Sequence, residues 1–295
     1  YVLFINHEYN DKLRFVSELE LEHSIAGDGK EGEIELEQAY IEYDYNNSTS
    51  ISAGLMLIPL GILNETHEPN TFYGVERNPV EKNIIPSTWW EGGAKISHNL
   101  SEGVNVQLMA HSGLKATSTF KPRDGRQKVG SAKSEHFAYT GAIKYTTIPG
   151  LTVGAGFNYQ ADFSNGGSGG ESSGADGALL TELHAIYQKD KFALRALYAA
   201  WNIEGTGADA LGRDKQFGYY IEPSYQVTDS IGVFGRFNKY DNSDGNSTAT
   251  TIKQTDLGVN WWIDPQVVFK ADMQMQSVGS GISKEMNGFN VGMGY

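Results

Sequence analysis

The feature that most constrains this chain is a period-two alternation of apolar and polar residues, repeated in segments of about ten residues. "LRFVSELELE" sets Leu13, Phe15, Leu19 and Leu21 against Arg14, Glu18, Glu20 and Glu22. "QVVFKADMQMQS" sets Val267, Phe269, Ala271, Met273 and Met275 against Lys270, Asp272, Gln274 and Gln276. Successive strand side chains point to opposite faces, so each segment reads as a strand with one greasy and one wet side. Its length suits a tilted strand crossing a bilayer. No helical period emerges, and the longest apolar run, Ala53 to Leu63, is too short for a membrane helix and contains Pro59.

Connections between the segments alternate in length. Short links fall at 9–11, 46–49, 100–103, 148–150, 189–191, 228–230 and 264–265; long polar ones fall at 24–31, 61–88, 114–134, 164–177, 205–215 and 242–250. A soluble sandwich gives no reason for every long loop to lie at one end, whereas an outer-membrane barrel has short periplasmic turns and long outer loops. Tyr45, Tyr145, Tyr187, Tyr225, Trp261 and Tyr295 fall on the greasy face near short turns or the terminus, where an interfacial aromatic girdle belongs. The mean hydropathy of -0.40 does not oppose this, because lipid-facing and water-facing residues average out. No signal peptide opens the chain, which reads as mature or trimmed at its start.

The expected fold is therefore all-β: a transmembrane antiparallel β-barrel forming one domain over residues 1–295. Fifteen strands can be counted, and an even total with both termini periplasmic calls for sixteen, the first preceding Tyr1. The lumen face then carries the bases Arg14, Lys95, Lys144, Arg195, Arg236 and Lys270. Facing them are the acids Glu18, Glu20, Glu22, Glu91, Asp162, Glu182, Glu222, Asp256 and Asp272. Acids outnumber bases, so the mean field favours cations or neutral solutes.

The residue inventory excludes several functions. A net charge of -13 argues against a nucleic-acid partner. Cysteine is absent, which removes disulfides and thiolate chemistry. His111 and Ser112 are adjacent in a strand and point apart, so they form no catalytic pair, and no enzyme, cofactor or metal is expected from spacing alone. "HEP" at 67–69 is a lone pair of metal-ligand candidates, and "DNSDGNST" at 241–248 lacks the glutamate of a calcium loop. The glycine-rich 166–174 reads as a flexible outer loop. Acidic outer loops could meet lipopolysaccharide through divalent ions.

The run "GEIELEQAYIEYDYNNSTSISAGLMLIPLGILNE" resembles the strand-turn-strand signature of the phosphate-selective porin O/P family of Gram-negative outer membranes. Glu35, Leu36, Glu37, Ala39, Tyr40, Ile41 and Tyr43 occupy the pattern, followed by Ile51, Gly54, Pro59, Leu60 and Gly61. The resemblance covers residues 1 to about 96, and the closing "NGFNVGMGY" is similar to the aromatic-ended last strand of assembled barrels. It implies a sixteen-stranded barrel, usually a homotrimer, that passes small hydrophilic solutes or ions by diffusion through a water-filled channel. The alternative is a plugged barrel acting as receptor, adhesin or scaffold. By analogy with general porins, 61–88 is the third outer loop and folds into the lumen as a constriction. Pro69, Pro79 and Pro86 stiffen it, and Phe72, Tyr73, Ile84 and Ile85 are expected to pack on the wall. Glu65, His67, Glu68, Tyr73, Glu76, Arg77, Glu81 and Lys82 are its candidate site residues, the charged ones expected to line water. The departure is in charge: where family members often show arginine, this chain reads Ser52 to Ile58, so phosphate selectivity does not transfer with the resemblance.

Overall fold

Alternation becomes a single antiparallel sheet in which each strand pairs with its neighbours in sequence. The computed structural model describes residues 1–27, 30–130, 132–133, 135–166 and 174–294; the side chains of 22–31 lie outside that description. The strands are β1 (Val2–Asn10), β2 (Leu13–Gly27), β3 (Lys30–Asn46), β4 (Thr49–Leu57), β5 (Trp90–Ser101), β6 (Val104–His111), β7 (Ala138–Tyr145) and β8 (Leu151–Gln160). They continue as β9 (Ala178–Lys189), β10 (Phe192–Ile203), β11 (Lys215–Gln226), β12 (Ile231–Asp241), β13 (Ile252–Asp264), β14 (Val267–Val278) and β15 (Gly288–Gly294). These are the fifteen strands counted in the sequence; among the described residues there is no sixteenth, and no ladder joins β15 to β1.

The pleat sorts the two faces. On β9 and β10, Leu179, Leu183 and Tyr198 are exposed outward, while Leu180, Glu182, His184, Ala199 and Trp201 are buried inward. Tyr45, Tyr187, Tyr225 and Trp261 are exposed near the short turns; Tyr295 lies outside the described residues. Their exposure suits the interfacial belt of a membrane barrel. No helix is long and apolar enough to cross a membrane.

Short turns are shaped by local side chains. Asn10 Oδ1 accepts from the N–H groups of Lys12 and Leu13 at 3.0 and 3.1 Å, and Asn46 Oδ1 accepts from Ser48 at 2.9 Å. Register shifts at Glu8/Asn10, Asp44/Asn46, Asn99/Ser101 and Trp262/Asp264 place an irregularity at the same end of four hairpins.

Two sequence expectations change. Of the stretch 24–31, expected as a long loop, the described residues 24–27 and 30–31 belong to β2 and β3 instead, with Ala26 opposite Glu31 and Gly27 opposite Lys30. Among the described residues two short α-helices, α1 (Val80–Asn83) and α2 (Thr206–Ala210), and a 3-10 turn at Pro122–Gly125 also interrupt the loops. Single turns of that length leave no readable period in a sequence.

Candidate pore constriction

Residues 58–89, which join β4 to β5, do not stay at the rim. Asn64 clamps the two ends of the segment together: its Nδ2 donates to the carbonyls of Ile58 and Trp89, each at 2.8 Å, and its Oδ1 accepts from Trp89 N–H at 2.8 Å. Gly61 turns the chain inward at φ +80°, a conformation that disfavours any residue with a Cβ. On either side of it Ile58, Leu60, Leu63, Val80, Ile84, Ile85 and Trp89 join the inward-facing Met109, Leu180, Leu197, Trp201 and Tyr220 in one buried apolar cluster. One segment can touch so many strands only if the sheet curls around it.

Polar anchors fix the remainder. Trp201 Nε1 donates to Ile84 O at 2.8 Å, Arg195 to Thr71 O at 2.9 Å, and Lys270 Nζ to the carbonyls of Phe72 and Gly74 at 2.8 and 2.9 Å. Lys270 also sits over the Phe72 ring, 3.8 Å from its centre. Tyr73 meets Phe234 and Trp262 at centroid distances of 5.4 and 5.6 Å. Arg236 pairs with Glu222 at 3.1 Å and Asp256 at 3.0 Å, while Asp272 accepts from Val75 N–H at 2.6 Å. Thus Arg195, Arg236, Lys270 and Asp272 face inward, but they hold the segment in place.

Other candidate residues are distributed more widely. Arg14 pairs with Glu42 and Asp44 near a short turn, at 2.6 and 2.7 Å. Lys95 is half-buried opposite Ser52 and Met109 in the ladders. Lys144 reaches Glu65 at 3.7 Å, and Lys82 reaches Glu76 at 3.7 Å. The side chain of Glu22 lies outside the described residues. Glu81 corrects the expectation that it lines water. It is fully buried and accepts from the N–H groups of Ile62 and Leu63 at 2.6 and 2.7 Å, from Asn78 Nδ2 at 3.0 Å and from Tyr220 OH at 2.8 Å.

A polar slot of about 390 Å³ remains beside the segment. β2 and β3 bring Glu20, Glu35 and Glu37 to it; the infolded segment brings His67, Glu68, Glu76 and Arg77; the 112–137 connection brings Arg123, Arg126 and Lys128. The last three belong to "KPRDGRQK", a basic island in an acidic chain, and that island was the available signal for them. Arg123 donates to the carbonyls of Lys82 and Ser87, and Arg126 to Thr88 O, so one loop braces the other. Burial, with repulsion from Arg126 and Arg77, lowers the Arg123 guanidinium to about 10, still protonated at neutral pH. Burial also works to lower His67, but its pairing with Glu18 and Glu37 wins and raises the imidazole to about 10.

A family model described as "Phosphate-selective porin O and P" matches residues 2–275. The chain belongs to that porin family. A protein of Aquifex aeolicus (strain VF5) is 28% identical, over 92% of this chain and 68% of its own length. Solved porin-type structures share the fold at low identity. The anion-selective porin from Comamonas acidovorans is 14% identical, with a TM-score of 0.66 over 99% of this chain and 83% of that one. The outer membrane channel DcaP of Acinetobacter baumannii is 12% identical, with a TM-score of 0.65 over 99% and 82%. A loop L8 deletion mutant of OmpT of Vibrio cholerae is 13% identical, with a TM-score of 0.65 over 100% and 89%. As a member of the porin O and P family, this protein is an integral β-barrel of the bacterial outer membrane, a channel for small solutes and not an enzyme.

Proposed function

We propose that solutes cross through the slot between the β2–β3 wall and the two inward loops, with residues 58–89 as the constriction, and that the slot prefers anions. The carrying observation is that no carboxylate of the described residues lies within 4.0 Å of Arg77, Arg123 or Arg126. The nearby acids, by contrast, are engaged: Lys128 pairs with Glu33 and Glu35, His67 with Glu37, and Lys82 with Glu76. A chain with a net charge of -13 therefore places beside this slot three guanidinium groups that have no ion-pair partner among the described residues. Anions passing there exchange hydration water for guanidinium donors, while the carboxylates of β2 and β3 give the field a transverse component.

Reversal potentials across a planar bilayer under a KCl gradient test this. The native channel should favour Cl⁻ over K⁺, and Arg123→Ala with Arg126→Ala should lower that preference by roughly five-fold per charge, the equivalent of about 1 kcal/mol each in a hydrated pore. Cation preference in the native channel, or variants with unchanged potentials, would overturn the assignment. A homotrimeric assembly completes the proposal, supported by the family resemblance and by the trimer form described for the OmpT protein of Vibrio cholerae. Light scattering of the detergent-solubilised protein should return three chains per particle.

A further inference from the structure

We infer that Glu18, Glu37 and His67 form a binding site for a divalent first-row transition-metal ion that ties the infolded segment to the barrel wall. Folding brings one carboxylate from β2, one from β3 and an imidazole from the segment together, with candidate ligand atoms all within 4.8 Å of one another. His67 Nε2 is 2.9 Å from Glu37 Oε2 and 3.7 Å from Glu18 Oε1. Ligands held at about 2.0–2.2 Å from one ion lie roughly 3–3.5 Å apart, so the cluster is already near coordination spacing. Both carboxylates are 2% exposed, and apart from their approach to His67 neither Glu18 Oε1 nor Glu37 Oε2 has a hydrogen-bond partner. Two buried carboxylates that share a single imidazole leave acceptor capacity that a bound cation would take up.

The surroundings orient the donors. Glu18 Oε2 accepts from Gln38 Nε2 at 2.7 Å, which leaves Oε1 directed at the cluster. On the far side of the imidazole, Nδ1 lies 3.2 Å from the Asn64 carbonyl. A carbonyl only accepts, so Nδ1 carries the proton, and Nε2 presents its lone pair to an ion; its own proton departs to solvent as the ion enters. Asn64 is itself fixed by its hydrogen bonds to Ile58 and Trp89. Two carboxylates balance a dication, and the imidazole favours zinc, nickel, iron or copper over calcium or magnesium. Glu37, His67 and Glu68 border the polar slot, which supplies an entry path, and Glu68 Oε1 stands 3.9 Å from His67 Nε2 as a reserve ligand.

The test uses the full-length barrel in detergent, stripped with chelator and titrated with Zn²⁺ by calorimetry, with Co²⁺ absorption as a second readout. The native protein should bind one ion per chain, and the Co²⁺ spectrum should report mixed oxygen and nitrogen ligation. His67→Ala or Glu37→Gln should weaken binding by at least about 100-fold, and Gln38→Leu by about 10-fold. Glu102→Gln, in an exposed turn, should bind as the native protein does. Should a variant fail to fold, shown by loss of the heat-modifiable shift on a gel, the native Co²⁺ spectrum and stoichiometry still decide. Less than about 0.2 ion per native chain, or undiminished binding by folded His67→Ala, would overturn the site and reduce the cluster to an ion pair. Binding is read without current, so this outcome is independent of the proposed conduction route.

Discussion

Glu81 shows how one side chain can organise a long loop. Two backbone N–H groups, an amide and a phenol converge on its carboxylate, bridging the start of the inward segment, its helix α1 and strand β11. Gly61 makes room for it: a Cβ there would stand 2.6 Å from Glu81 Oε1. Glu81→Ala leaves several buried donors without an acceptor, at roughly 1–3 kcal/mol each. The variant should show a lower unfolding temperature on heat-modifiability gels and noisier single-channel currents. Glu76→Ala removes only an exposed pair with Lys82, 3.7 Å long, and should change stability by less than about 0.5 kcal/mol. Equal behaviour of the two variants would show that Glu81 is not the segment's keystone.

Within the element, anchoring changes character from end to end. Residues 80–89 are held by apolar burial, with Ile84 and Ile85 fully buried near Trp201 and Tyr220, whereas residues 71–75 are held by Arg195, Lys270, Arg236 and Asp272. The two ends should therefore fail differently. Ile84→Ala opens a cavity worth about 2–5 kcal/mol and should appear mainly as lost thermal stability. Lys270→Met withdraws two hydrogen bonds from backbone carbonyls and should instead free the tip, raising conductance with little change in unfolding temperature. Conductance and thermal shift measured on both variants check the division, and it fails if both respond in the same way. Charged residues such as Lys270 were legible as inward-facing, because strand parity alone sets that. Their partners were not legible: a carbonyl 198 residues away leaves no trace in local pattern. The same reason hid Glu81, since a loop without period gives no rule for which side chains turn inward, and it hid the meeting of Arg123 and Arg126 with the inward segment.

At the scale of the whole molecule, the sequence was most informative where physics is repetitive. Fifteen strands followed from parity, because each needs one face for lipid and one for the interior; the expected loop at 24–31 departed, its described residues 24–27 and 30–31 lying in the paired strands β2 and β3. The remaining prediction concerns orientation, which the alternation of short turns and long connections specifies. Ser247 lies in the long connection between β12 and β13, and Asn47 in the tight turn between β3 and β4, at opposite ends of the strands. The chain has no cysteine, so one introduced thiol reports without background. A membrane-impermeant maleimide added to intact cells should label Ser247→Cys, while Asn47→Cys should react only once the outer membrane is opened, because short turns face the periplasm. Asn46 Oδ1 shapes that turn through Ser48 N–H, so substitution at Asn47 leaves its hydrogen bond in place and the barrel able to assemble. The reverse labelling pattern would turn the molecule over, put the long loops in the periplasm and remove the basis for a constriction entered from outside.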